Sequence, residues 1–321
     1  MYDYALCKCI IISIDAAFGD WHAHGRGTMS TQPIEFARVT PMPASVRPTY
    51  LMCSPRLYDV AYVINPWMAG NVHASSRERA SAQWWQLYQV LTEFADVELI
   101  DPQPGSPDMV FTANAGLERD GVIVLSRFFY PERQAEEQHF RQWFQSAGYR
   151  VLGVPCEVPF EGEGDALFSV DGFCLWAGYG PRTSSESHDV LSRTWDIEVT
   201  PLHLVDSRFY HLDTCFAPLA NGFVMYYPAA FDAASVHRIE SFYPTEKRIV
   251  VNEDDAARFA CNAINIGCTI IVNDIGRGLS ATLVAAGFHV VPVALTEFIK
   301  AGGAAKCLVM RISALPSKIC N

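Results

Sequence analysis

Chemistry enters this chain where polar side chains sit inside apolar runs. The stretch Phe209-Tyr210-His211-Leu212-Asp213-Thr214-Cys215-Phe216 sets an imidazole and a carboxylate two positions apart. Read as an extended strand, His211 and Asp213 point to the same side. Burying such groups without partners costs on the order of 2–7 kcal/mol each. A chain that buries them therefore builds a paired network or runs a reaction. Three further clusters have comparable content. Phe111-Thr112-Ala113-Asn114 ends on an amide that by itself reads as a turn residue. Phe160-Glu161-Gly162-Glu163-Gly164-Asp165 places three carboxylates in a glycine-rich loop between apolar flanks, close to a core. Gly302-Gly303-Ala304-Ala305-Lys306-Cys307 sets a thiol behind two glycines that free the backbone for close approach, beside a lysine able to stabilise a thiolate.

A cysteine nucleophile with a distant histidine and a supporting carboxylate is one route to covalent catalysis, the carboxylate fixing the tautomer of the imidazole and raising its basicity. Taken singly, His211 reads as a satisfied core histidine and Cys307 as one of ten scattered cysteines. A rival reading keeps to one strand: His211, Asp213 and Cys215 alternate on a face and ligate a metal. Metal sites usually draw on more than one element, which disfavours it.

The elements that must carry these residues recur. Strands are expected at 48–54, 97–100, 109–112, 122–125, 149–154, 166–170, 173–176, 197–202, 223–227, 248–251, 269–272, 288–292 and 307–312, besides the one through His211. Helices are expected from Ser75 or Ser76, the capping candidates, to about 96, then at 131–147, 184–195, from Asp232, at 253–263 and at 276–286. Each unit reads strand(s), helix, strand, with a period of roughly 45–55 residues, and five units fit. Repetition at that spacing points to a propeller-like or solenoid array, where a simple alternation would suggest a doubly wound sheet. Neither GxGxxG nor a Walker A sequence is present, which disfavours a nucleotide fold.

Composition bounds the rest. The 321 residues are 50% hydrophobic, enough for a sizeable core, and the net charge of −11 argues against a nucleic-acid partner. The cysteines form no CxxC pair, as in a reducing cytoplasm. No apolar span reaches the length of a membrane helix, and the N-terminus makes a poor secretory signal. Residues 1–46 read as a loosely ordered extension, with Met29 as an alternative natural start, and 47–321 as a single catalytic domain. The sequence is compatible with a homo-oligomer.

Together the four clusters resemble the guanidino-group-modifying enzymes of the pentein superfamily: arginine deiminases, amidinotransferases and dimethylarginine dimethylaminohydrolases. The resemblance covers about 47–312. A Cys-Pro-type opening strand, Ile64-Asn65-Pro66-Trp67-Met68, Phe111-Thr112-Ala113-Asn114, Gly180-Pro181-Arg182-Thr183 and His211-Leu212-Asp213-Thr214 look most like the cyanobacterial-type arginine dihydrolases. The resemblance implies a five-bladed α/β propeller around a central site, in agreement with the five units. It implies Cys307 as nucleophile, His211 as general acid and base, and Glu161 and Asp213 as ligands of the guanidinium nitrogens. Asn65 and Asn114 would contact the substrate head, Arg182 its α-carboxylate, and Phe111 would pack on the guanidinium plane. The substrate implied is arginine or a methylated arginine, without cofactor, metal or membrane. Products would be ornithine, carbon dioxide and two ammonia, or citrulline if the chain is instead a deiminase or dimethylaminohydrolase; a ligand-binding propeller without catalysis is the non-enzyme alternative. No additional C-terminal domain of the kind some dihydrolases carry is expected within these residues.

Two departures stand out. Glu161-Gly162-Glu163-Gly164-Asp165 is one residue longer than the Glu-Gly-Gly-Asp of deiminases and amidinotransferases, leaving Glu161 or Glu163 to face the site. Glu161, which follows Phe160, is the preferred choice. Asn114 replaces their Asp. A carboxylate only accepts, which suits a guanidinium; an amide also donates, and so tolerates the carbonyl of a ureido group.

Overall fold

The computed structural model describes residues 47–314; the extension expected at 1–46 lies outside the described residues. They form five three-stranded sheets arranged as a five-bladed α/β propeller. Blade one holds β1 (Thr49–Cys53), α1 (Arg77–Phe94) and β2 (Asp96–Ile100); blade two β3 (Gly116–Arg119), β4 (Val122–Leu125), α2 (Pro131–Gln134), α3 (Glu136–Ser146) and β5 (Arg150–Gly153). Blade three holds β6 (Ala166–Phe168), β7 (Cys174–Tyr179), α4 (Ser187–Trp195) and β8 (Glu198–His203); blade four β9 (Phe216–Leu219), β10 (Phe223–Tyr226), α5 (Ala233–Phe242) and β11 (Arg248–Val250). After α6 (Glu253–Ala256), blade five holds β12 (Ile264–Ile266), β13 (Thr269–Val272), α7 (Arg277–Ala285) and β14 (His289–Pro292); α8 (Thr296–Ile299) and β15 (Met310–Ile312) follow.

Every blade repeats one pairing. The middle strand runs antiparallel to the strand before it and parallel to the strand after the helix, because a parallel pair needs a crossover long enough for a helix. Blade one borrows its antiparallel strand from the far end of the described chain. There β15 pairs with β1, Thr49 opposite Ile312 and Leu51 opposite Met310, so two distant segments close the ring.

Middle strands such as Thr-Tyr-Leu-Met-Cys, Phe-Val-Met-Tyr and Thr-Ile-Ile-Val are predominantly apolar and almost wholly buried, as strands covered on both faces must be. Helix α1 starts where the Ser76 side chain accepts from the Arg79 N–H. It buries Ala80, Trp84, Leu87, Leu91 and Phe94, a stripe at helical spacing. Burying a side chain of Leu or Phe size contributes roughly 1.5–3 kcal/mol.

Two expected strands are turns instead. The run 109–112 folds as 3-10 turns, Pro107–Val110 and Thr112–Ala115, and the ladder begins only at β3. Asp213 belongs to a 3-10 turn, Leu212–Thr214, ahead of β9, and His211 is the extended residue that precedes it. Here the Thr214 hydroxyl donates to the His211 carbonyl three residues back at 2.6 Å, a local bond that competes with strand pairing. The helix expected at 253–263 ends early: α6 stops at Ala256, and Phe259 adopts φ of 61°. Strand β12 and helix α8 are additions, and the strand expected at 307–312 spans only Met310–Ile312.

Candidate active site

The first strand of each blade is entered through a short segment, and the five entries are hydrogen-bonded in a closed cycle. Asn114 and Asn262 each lie two residues before their strands, β3 and β12; Glu161–Asp165 precedes β6, His211–Asp213 precedes β9, and Cys307 precedes β15. Ala113 N–H donates to the Cys307 carbonyl at 3.2 Å. Asn114 Nδ2 donates to the Glu161 carbonyl at 3.3 Å, and Glu161 Oε2 meets His211 Nε2 at 2.7 Å. Asn262 Nδ2 donates to the Asp213 carbonyl at 3.1 Å and to Cys307 Sγ at 3.1 Å.

Glu161 is the hub of one side. Its Oε2 takes both His211 and Arg182 NH1, the latter at 3.0 Å, and its Oε1 accepts the Phe129 N–H. Burial alone would raise this carboxyl. The Arg182 charge, the His211 hydrogen bond and charge, and Arg133 outweigh burial and hold it at about 2. Asp165 backs the arrangement, bridging Thr183 Oγ1 at 2.6 Å and the Leu212 N–H at 3.0 Å; burial pushes it up to about 6. Glu163, the other candidate of the longer loop, points elsewhere: its Oε2 pairs with Lys306 Nζ at 2.6 Å and accepts the Arg311 N–H.

Cys307 and Asp213 form the other side. The thiol sits 3.5 Å from Asp213 Oδ2 and is 3% exposed. Burial pushes the Asp213 carboxyl up to about 7, against Lys306 and the hydrogen bonds from Cys307 and Asn262. Burial and the Asp213 charge hold the Cys307 thiol well above its ordinary range. The thiol stands against a small cavity, lined also by Asn65, Phe111, Asn114, Arg182, Tyr210 and two residues the sequence did not single out, Asp108 and Arg133.

A family model described as eukaryotic N,N dimethylarginine dimethylhydrolase matches residues 63–314. The chain belongs to this family. The bifunctional arginine dihydrolase/ornithine cyclodeaminase ArgZ of a Synechocystis strain is 55% identical over 82% of this chain, which spans 37% of that relative's length. The N(G),N(G)-dimethylarginine dimethylaminohydrolase of Mycobacterium tuberculosis is 39% identical, over 82% of this chain and 85% of that relative. Among solved structures, the N-terminal domain of ArgZ, as a cysteine-to-serine variant with substrate bound, superposes with a TM-score of 0.82. It is 55% identical and covers 82% of this chain and 97% of that one. An asparagine-to-serine variant of the same domain has been solved covalently bound to a reaction intermediate.

Within this family member, the residues read from sequence fall into two groups. Asn65, Phe111, Asn114, Arg182 and Cys307 line the cavity; Glu161, His211 and Asp213 are not in its lining, but Glu161 and Asp213 touch the lining residues Arg182 and Cys307. Asn65 is already engaged: Oδ1 accepts from the Trp67 and Met68 N–H groups and Nδ2 donates to the Ala301 carbonyl. Arg182 lies between the Tyr130 and Tyr210 rings at 4.7 and 4.5 Å, with NH1 on Glu161 and NH2 on the Ile64 carbonyl. Phe111 meets Tyr58 and Phe298 edge-on. Arg133 NH1 donates to Asn114 Oδ1 at 2.9 Å and the same guanidinium grips Glu136 at both oxygens. Asp108 is 1% exposed; Tyr62 donates to its Oδ2, and its Oδ1 has no hydrogen-bond partner among the described residues. Cys215 does not join His211 and Asp213 on a face. Its Sγ lies against the His211 and Leu212 carbonyls, and among the described residues no three His, Cys, Asp or Glu side chains are placed to hold a metal. No helix among the described residues is long and apolar enough to cross a membrane.

Proposed function

We propose that the chain is a cysteine-dependent guanidine hydrolase acting on free L-arginine, with arginine dihydrolase as its reaction. The observation that carries this reading is a thiol bonded to an undercompensated buried carboxylate, at one wall of a cavity whose lining also holds Asp108, Arg133 and Arg182. A guanidinium beside Asp213 supplies the missing positive charge. The partnerless Asp108 Oδ1 suits an α-ammonium, and Arg133 and Arg182 offer the planar donor geometry that carboxylates favour. Within this reading Asn65 keeps the 64–68 turn against Ala301, Phe111 presents a ring to the guanidinium plane, and Asp213 meets its nitrogens; Glu161, assigned to the same nitrogens from sequence, has both oxygens on His211, Arg182 and the Phe129 N–H and orients His211 instead.

The substrate cation also addresses the raised thiol. A positive charge placed beside Asp213 and Cys307 favours the thiolate. The thiolate attacks the guanidinium carbon; His211, oriented by Glu161, gives its proton to departing ammonia, and an S-alkylthiouronium remains. His211 then takes a proton from the attacking water, and collapse of the adduct returns the thiolate and citrulline. A second round on the ureido carbon releases the second ammonia. Hydrolysis of the resulting thiocarbamate gives ornithine and carbon dioxide. Overall, arginine and two waters become ornithine, carbon dioxide and two ammonia.

Asn114 supports the second round. Its Oδ1 is held by Arg133, and one of its two Nδ2 hydrogens goes to the Glu161 carbonyl, which leaves the other for a substrate oxygen. A carboxylate at this position would pair with Arg133 and leave no donor for a ureido oxygen. A second reading, dimethylarginine hydrolysis to citrulline, draws on the family match and the mycobacterial relative. A buried thiol nucleophile suits a reducing compartment, consistent with a cytoplasmic enzyme.

The test is incubation of the purified protein with L-arginine and, separately, with asymmetric dimethylarginine, while citrulline, ornithine and ammonia are quantified. Ornithine with two ammonia per arginine is the expected result. Citrulline with one ammonia makes it a deiminase, and turnover of dimethylarginine alone favours the second reading. For Asn114→Asp the expected product is mainly citrulline; ornithine as the main product from that variant removes the role given to the amide. No turnover, together with no labelling of Cys307 by a thiol reagent, points to a ligand-binding propeller.

A further inference from the structure

The five entry segments form a cycle, and the reading above gives a task to four of them. The fifth, ahead of β12, contributes Asn262. This residue is fully buried, and each polar atom of its side chain is used twice. Oδ1 accepts the Ala304 N–H and the Cys307 N–H, both at 3.1 Å. Nδ2 donates to the Asp213 carbonyl and to Cys307 Sγ, again both at 3.1 Å. Its backbone carbonyl takes the Lys306 N–H at 3.2 Å.

These contacts fix the amide's orientation. Two backbone N–H donors can be satisfied only by the oxygen, so the nitrogen must face Asp213 and the sulfur. One side chain therefore ties the Ala304–Cys307 segment to the turn that carries Asp213, and presents an N–H to the reacting atom.

We propose that Asn262 is a positioning residue for the Cys307 thiolate: it holds Sγ beside Asp213 and stabilises negative charge on sulfur through its Nδ2–H. The inference rests on the reading of Cys307 as nucleophile. An N–H donor to sulfur is worth most when the sulfur is charged, because hydrogen bonds to ionised acceptors are roughly twice as strong as neutral ones. It opposes the groups that favour the thiol here. Asp213 raises the thiol, Lys306 lowers it across the same space, and the Tyr210 phenol lies near enough to feel the sulfur's charge.

The test separates the two tasks of the amide. Asn262→Asp keeps an oxygen for the two backbone N–H groups and replaces the donor to sulfur by a second oxygen. Asn262→Ala removes both. For each variant that keeps the wild-type circular dichroism spectrum, alkylation of Cys307 by iodoacetamide is followed against pH by peptide mass mapping, alongside steady-state kinetics on arginine. We expect the alkylation midpoint to move alkaline by about one pH unit in both. We expect kcat to fall on the order of 10²-fold, as for loss of one donor to a developing charge, with KM changed only a few-fold. In Asn262→Asp, acidification should restore part of the activity, since a protonated carboxyl regains a donor. A native-spectrum variant with the wild-type alkylation midpoint overturns the proposal. Loss of fold in both variants marks Asn262 as structural only and overturns it too. Alkylation is read without turnover. A wild-type protein inert to arginine therefore refutes the assigned reaction, and the shifted midpoint still decides whether Asn262 acts on the sulfur.

Discussion

Glu161 and Asp213 are both buried carboxylates within the same ring of entry segments, yet they sit at opposite ends of the titration scale. Glu161 is held at about 2 and Asp213 is pushed up to about 7. Burial raises both. The difference lies in partners: Glu161 meets Arg182, His211 and a backbone N–H directly, whereas Asp213 has the Cys307 thiol at its oxygens and Lys306 only at longer range. One side is assembled and satisfied within the fold. The other is left short of positive charge, where a cationic substrate contributes most. A buried carboxylate that the protein itself does not neutralise marks the place where binding energy can be turned to chemistry.

The largest effect is expected at Asp213. On the proposed reaction, Asp213→Asn should lower kcat/KM for arginine on the order of 10³-fold, because the carboxylate assigned to draw the guanidinium to the thiol is gone. The same change should raise stability. A raised carboxyl contributes stability fully below its unfolded value of 3.8 and loses it as pH rises through about 7. At pH 8, Asp213→Asn should unfold at higher denaturant than wild type, by on the order of 1–3 kcal/mol, with the gap closing toward pH 4. Urea titrations at the two pH values measure it, and equal midpoints at pH 8 would remove the contrast.

Glu161→Gln should behave in the opposite way. Arg182 and His211 lose their shared counter-charge, and breaking a buried pair costs about 3–5 kcal/mol. Activity on arginine should fall on the order of 10²-fold as His211 loses its orientation. For the wild type, the stability supplied by Glu161 is present above 4.5 and lost as pH falls toward 2, so this variant should show a flatter acid limb. An Asn or Gln change that destabilises both sites equally would mean that burial, not pairing, sets their difference.

The sequence carried the five-unit repeat because the period of helices and apolar strands is local information. It also singled out Cys307, His211, Glu161 and Asn114 through the motifs around them, and the fold brings these four into one ring of entry segments. What it hid was long-range. His211 and Asp213 read as strand residues because Phe209, Leu212, Cys215 and Phe216 around them pack into a hydrophobic core, while the turn is made by Thr214 bonding back to His211. Arg133 stood inside an ordinary helix pattern, and nothing in the pattern announces that it reaches Asn114. Asn262 was legible in principle: Asn114 two residues before β3 has its counterpart two residues before β12, one repeat position that could have been compared across blades.

Lys306 offers the finest probe. Its ammonium pulls down both Asp213 and Cys307, but Glu163 holds it at 2.6 Å. In Lys306→Met, Asp213 should titrate higher still and the thiol should ionise less readily. The acidic limb of the pH–rate profile should then move alkaline by about half a pH unit, with kcat a few-fold lower at pH 7. The orphaned Glu163 confuses the stability readout, since its remaining partner is the Arg311 N–H. Lys306→Met with Glu163→Gln removes that charge and should recover stability while keeping the shifted limb. If the double variant returns the limb to its wild-type position, Lys306 acts on this side of the site only by holding Glu163, and the shortage of positive charge at Asp213 is deeper than its neighbours suggest.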